Sequence, residues 1–111
     1  MSANVKTIEA AQFDTEVLAP GEPVVLDFFS TECPPCEALA PKYEAVADQF
    51  AGKVRFLKIF RQGNRELAGK LGVSGSPTLL FFKGGREVGA RMSGEDIKRS
   101  ALKTAVESLL A

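Results

Sequence analysis

Histidine is missing from this chain, and cysteine occurs only twice. Without histidine, cysteine-based hydrolase chemistry loses its usual base. Two cysteines cannot build the multi-bridge scaffold of a small secreted domain, nor a four-ligand Cys/His zinc site within one chain. Two chains pooling their pairs could still hold zinc or an iron–sulfur cluster. Charge excess is absent too: 14 basic residues balance 14 acidic ones, and the basic residues form no dense run. No field therefore draws the protein to nucleic acid or to an anionic membrane. No window approaches the roughly 18 apolar residues of a transmembrane helix. Met1 to Thr7 lacks the charged start and apolar stretch of a secretory signal, so the expected location is cytoplasmic.

What is present suits one compact domain over residues 1–111, with 45% hydrophobic and 25% charged residues. There are no internal repeats, low-complexity stretches or linkers. Val5 to Ile8 reads as a short strand. Ala10 to Ala19 reads as a helix, with Phe13, Val17 and Leu18 at helical spacing and Pro20-Gly21 as its stop. Pro23 to Phe29 is a nearly continuous apolar run, as expected of a strand covered on both faces. From Cys33 the period becomes helical, with Leu39, Tyr43, Val46, Ala47 and Phe50 on one face and Pro41 expected to bend it.

Val54 to Phe60 is β-branched and aromatic enough for another strand, and Asn64 to Leu71 is a short helix closed by Gly72. Thr78 to Lys83 is a strong strand, and Gly84-Gly85 a hairpin turn into a strand from Glu87 to about Met92. Ser93 with Asp96 resembles a capping arrangement for a last helix whose apolar face runs from Ile97 to Leu110. The order βαβαβαββα predicts an α/β fold: a central mixed sheet, parallel in its first half, with helices on both faces.

Both sulfurs lie in Cys33-Pro34-Pro35-Cys36, just after the second strand. A Cys-x-x-Cys pair near a βαβ pattern is a redox signal. If it opens a helix, the Cα atoms come within disulfide reach and the helix N-terminus favours a thiolate at the first cysteine. Asp27 interrupts the apolar run with the side-chain parity of Val25 and Phe29, which places it inside. Burial would raise its pKa and let it exchange a proton with Cys36; the alternative is an exposed strand-end carboxylate.

This order resembles the thioredoxin family. The likeness is carried by Asp27-Phe28-Phe29, the cysteine pair, Ala40-Pro41, Lys58, Gly75-Ser76-Pro77-Thr78, Phe82-Lys83 and Gly85, and it spans almost the whole chain. The resemblance implies a thioredoxin fold and a protein-disulfide reductase without a cofactor or metal. Cys33 would attack, Cys36 would resolve, and Asp27 would have Lys58 as a partner charge. It also implies a substrate-binding set of Ser76, Pro77, Glu32, Pro34 and Gly94, with a cis Ser76–Pro77 bond bringing the Ser76 backbone beside Cys33. The partners implied are disulfide-containing proteins and a thioredoxin reductase as electron donor, with the protein acting as a monomer. Two other readings stay open: an oxidase or isomerase in an oxidising compartment, and a binding module using the pair for a shared metal or cluster.

Four residues around the sulfurs depart from the family pattern. Glu32 replaces a tryptophan, Pro34 a glycine, Glu37 a lysine and Ser76 an aliphatic residue. A unit charge at ~6 Å costs on the order of 0.7 kcal/mol in water, while a helix start returns about 0.3–1 kcal/mol. Glu32 and Glu37 thus offset the helix in setting the Cys33 thiolate, and they favour basic or neutral substrates. Ser76 would either donate a hydrogen bond to the thiolate or act as a small spacer.

Overall fold

In the computed structural model, residues 2–111 are described. They form one mixed sheet of six strands: β1 (Val5–Ile8), β2 (Val24–Phe29), β3 (Arg55–Phe60), β4 (Thr78–Lys83), β5 (Arg86–Glu87) and β6 (Met92–Ser93). Three α-helices cover it: α1 (Pro34–Gln49), α2 (Arg65–Lys70) and α3 (Arg99–Leu109). The strand order is β1-β3-β2-β4-β5, with β6 also pairing β4. β1, β3 and β2 run parallel, while β4 is antiparallel to β2. Helical connections allow the parallel half; β4, arriving through α2, lies antiparallel to β2, and a hairpin adds β5.

Alternation along β2 splits the core. Val25 faces α1 and α3 with Leu39, Tyr43, Val46, Phe56, Leu79, Phe81, Leu102 and Val106. Val24, Leu26 and Phe28 face the other way, with Ile8, Val17, Leu57, Ile59, Ala68 and Leu80. β2 is buried at every position up to Phe28, as the continuous apolar run implied. Tyr43 reaches from α1 into this core and donates its hydroxyl toward the Leu57 and Val25 carbonyls, at 2.7 and 3.1 Å.

Three segments differ from the sequence expectation. The helix expected over Ala10 to Ala19 is a 3-10 turn at Ala10–Gln12 followed by a π turn at Asp14–Leu18. Its first amides are claimed by side chains: Gln12 Oε1 accepts from Glu9 N at 2.9 Å, and Asn64 Oδ1 from Ala10 N at 2.8 Å. The wider turn sends Val17 into the core, and Phe13 packs edge-on against Phe82 at 5.8 Å.

The strand expected from Glu87 to Met92 is broken. Gly84 and Gly85, with φ of 63° and 80°, form the two-residue loop that pairs Lys83 with Arg86, the conformation such hairpins require. Pairing then lapses at Gly89, where φ is 71°. Arg91 turns away to bond the Leu71 carbonyl at 2.6 Å and the Glu87 carboxylate at 2.7 Å. Pairing resumes only at Met92, opposite Leu79.

Ser93 does not cap the last helix. It is held in β6 opposite Thr78, and Gly94, with φ of 101°, turns the chain away. Asp96 pairs with Lys98 at 3.2 Å, and α3 begins after Lys98 with no side-chain cap. The buried Ile97 anchors that entry, and Lys42 Nζ donates to its carbonyl at 3.2 Å. α1, by contrast, continues through Pro41 to Gln49.

Candidate active site

Cys33 is the N-cap of α1, with extended backbone angles, and Pro34 and Pro35 fill the first two helical positions. Proline suits those positions because its φ is already helical and its missing N–H belongs to the unpaired end. The first amide beyond Cys33 is therefore that of Cys36, and it donates to Cys33 Sγ at 3.3 Å. The two sulfurs are joined as a disulfide, with Cα atoms 5.2 Å apart. Cys33 is half-buried at the surface, whereas Cys36, one turn into the helix, is only 9% exposed.

On the α1 side of β2 lies Asp27, 3% exposed, and its Oδ1 has no hydrogen-bond partner among the described residues. Burial pushes its carboxyl pKa up from near 3.8 to about 7, with the Lys58 charge acting in the opposite direction. The same buried setting, together with Asp27 itself, pushes the Tyr43 phenol well above its ordinary value. Lys58 is the β3 register partner of Asp27, which agrees with the expected proximity. Its ammonium, however, lies 4.6 Å from the centre of the Phe29 ring, so it acts on Asp27 through space.

The Ser76–Pro77 bond is cis, and the Ser76 carbonyl oxygen lies 3.7 Å from Cys33 Sγ. Thr78 Oγ1 donates to the Gly75 carbonyl at 2.8 Å and closes this loop. The Ser76 hydroxyl does not serve the sulfur. It accepts from Arg61 Nε at 2.8 Å and lies 2.5 Å from Ser30 Oγ, so the backbone, not the side chain, is what Ser76 offers Cys33.

Glu32 is exposed and adopts φ of 52°, the only non-glycine residue of the described chain with positive φ. Gly94 lines a polar cleft of about 390 Å³ together with Ser76, Pro77 and Thr78. Its neighbour Glu95 borders a second groove beside Pro34 and Pro35. The loop before β4 thus brings Ser76 to the disulfide, Gly94 shares a cleft with Ser76 and Pro77, and Asp27 is buried in β2.

Arg61 and Ser30 were not singled out by sequence. Both directly follow the carboxyl ends of parallel strands, where open α/β sheets place their sites. Continuing the β2–β3 register past Phe29 and Phe60 sets Arg61 beside Ser30. Continuing the β2–β4 register past Phe28 and Thr78 sets Ser76 across from Ser30. A polar residue at each of those positions was the available signal.

A family model described as thioredoxin matches residues 4–108. Thioredoxin 1 of Nostoc sp. is 36% identical over 88 residues, covering 79% of this chain and 81% of its own length. The thioredoxin of Peptoclostridium acidaminophilum is 36% identical over 111 residues, covering 100% of this chain and 96% of its own. Among solved structures, the thioredoxin of Malassezia sympodialis superposes with a TM-score of 0.83 at 33% identity, covering 96% of this chain and 91% of that one. These likenesses favour disulfide reduction over the oxidase or isomerase and shared-metal readings.

Proposed function

The chain belongs to the thioredoxin family and is a thiol–disulfide oxidoreductase of the disulfide-reducing kind, and on that premise we propose that Cys33 is its attacking thiol and Cys36 its resolving thiol. The observation that carries this assignment is the contrast in exposure, with Cys33 at the surface and Cys36 behind it. In the reduced protein the Cys36 N–H and the start of α1 favour a thiolate at Cys33, because both direct positive charge at its sulfur. That thiolate attacks a substrate disulfide, forms a Cys33–substrate disulfide and releases one substrate thiolate. Cys36 passes its proton to the Asp27 carboxylate and attacks Cys33 Sγ. This releases the second substrate sulfur as a thiolate, which takes up a proton from solvent or from Asp27, and leaves the Cys33–Cys36 disulfide. Two electrons have moved from protein to substrate.

Asp27 suits the proton-acceptor role because a carboxyl pKa of about 7 is half ionised at neutral pH. Lys58 favours the ionised form. The Ser76 backbone and Pro77 receive an extended substrate segment, with Glu32, Pro34 and Gly94 as its rim. A thioredoxin reductase returns the electrons, and the substrates are protein disulfides. Residues 1–111 act as a single domain, a reading supported by two cores sharing one sheet, and the protein acts as a monomer. No helix of the described residues is long and apolar enough to cross a membrane. A reducing cytoplasm is the compartment in which such a dithiol is kept reduced.

Turnover of a peptide disulfide, coupled to a thioredoxin reductase, tests the assignment. Cys33→Ser and Cys36→Ser are each expected to abolish turnover. Turnover retained in Cys33→Ser would overturn the assignment of the nucleophile.

A further inference from the structure

The active-site rim carries a cation that the exchange reaction does not use. Arg61 leaves β3 where Ser30 leaves β2, and its Nε is tied to Ser76 Oγ at 2.8 Å. Ser30 Oγ, 2.5 Å from the same oxygen, braces that serine from the other side. The Ser76 carbonyl in turn lies 3.7 Å from Cys33 Sγ. The guanidinium is thus anchored through one residue to the reacting sulfur.

Its remaining nitrogens are uncommitted: none of the described carboxylates pairs with Arg61, and neither terminal amino group has a hydrogen-bond partner among the described residues. An arginine fixed through Nε keeps a planar donor face, a geometry that matches a carboxylate. The acidic residues of the rim stand elsewhere, Glu32 and Glu37 flanking the cysteine pair and Glu95 beside Pro34 and Pro35.

We propose that Arg61 is a specificity-determining residue that receives the carboxylate of an aspartate or glutamate flanking the half-cystine of the substrate. The proposal rests on Cys33 being the attacking thiol. An extended segment lying along Ser76 advances about 3.3 Å per residue, so a side chain one or two positions from the half-cystine comes within reach of Arg61. The rim is then two-sided. Glu32, Glu37 and Glu95 repel anionic substrate on the helix side, and Arg61 accepts it on the Ser76 side. This narrows the preference for basic or neutral substrates that the acidic flank alone suggested.

Three peptide disulfides test this, identical except for glutamate, glutamine or lysine next to the half-cystine, placed before it in one series and after it in another. At low ionic strength the wild-type kcat/KM should favour the glutamate peptide over the glutamine peptide by about three- to fivefold in one of the two series, the size expected of an exposed, geometrically fixed ion pair. The preference should shrink in ~0.5 M salt, where the screening length falls below about 5 Å. Arg61→Ala should level the three peptides, and Arg61→Glu should invert their order. Ser76→Ala, which keeps the charge and removes the anchor, should keep the order with a smaller spread.

An unchanged order in Arg61→Ala would overturn the proposal. So would an equal loss on all three peptides, which marks a merely structural role. If the wild-type protein reduced none of the peptides, the reductase reading itself would fail, and this proposal with it.

Discussion

Asp27 and Lys58 occupy the same level of β2 and β3, yet the ammonium of Lys58 lies over the Phe29 ring and leaves Oδ1 of Asp27 without a partner. A buried carboxyl with no hydrogen bond at one oxygen is costly when ionised. That cost is the source of its displaced titration.

Stability should therefore depend on pH through Asp27 with an unusual sign. Its pKa is raised from about 3.8 to about 7 on folding, so between those values the folded state holds a proton the unfolded state has lost. Its contribution is fully present below about pH 4, falls as pH rises through about 7, and is then level. A shift of about 3 units at 1.36 kcal/mol each gives about 4 kcal/mol, an order-of-magnitude figure. Urea denaturation should show wild type losing up to that amount, relative to Asp27→Asn, between pH 4 and pH 8. Parallel profiles for the two proteins would remove the buried carboxyl from the account.

The same group should shape the rate. Asp27→Asn is expected to slow reduction of a peptide disulfide at pH 7 by about 100-fold, the lower end of general acid–base contributions. The inflection near pH 7 should also disappear from the pH–rate profile. A variant with an unchanged profile would show that Cys36 loses its proton to another acceptor.

Glu32 should be replaceable by glycine with a gain in stability. Its φ of 52° is a left-handed conformation that costs a side-chain-bearing residue about 1–2 kcal/mol. Glycine is free of that cost but has more unfolded-state entropy to lose, which leaves a net gain of about 0.5–1 kcal/mol. Glu32→Val should move the other way by a larger amount, and thermal unfolding of the two variants gives the comparison. Equal effects of Gly and Val would mean that this residue is not held in the left-handed region in solution.

Tyr43→Phe isolates the hydroxyl that ties α1 to β2 and β3. Loss of a buried donor to the Leu57 and Val25 carbonyls should cost about 1–2 kcal/mol. The ring contact with Phe56, at 5.3 Å, stays in place. Chemical denaturation should show this loss with an unchanged denaturant slope. No loss would mean that the two carbonyls find other partners.

The sheet was legible in the sequence wherever side chains repeat at a strong period. β4 has the predicted bounds, the helix after Cys33 has its predicted buried face, and parity placed Asp27 inside. The expectation failed where tertiary contacts overrode local pattern. Arg91 pulls the chain out of the sheet toward the end of α2, and Ser93 is held by Thr78 instead of capping a helix. The polar network of Arg61, Ser76 and Ser30 was hidden for a different reason. Its members are 15 and 46 residues apart in sequence and meet only through the register of three strands. Parity likewise fixed the face of Lys58 but not the direction of its long side chain.

The central claim is that Cys33 attacks and Cys36 resolves. Its most direct measurement is mass-spectrometric mapping of the adduct formed when reduced Cys36→Ser meets a peptide disulfide. A stable adduct joined at Cys33 is expected, and no comparable adduct at Cys36 in Cys33→Ser. An adduct that forms faster at Cys36 than at Cys33 would contradict it.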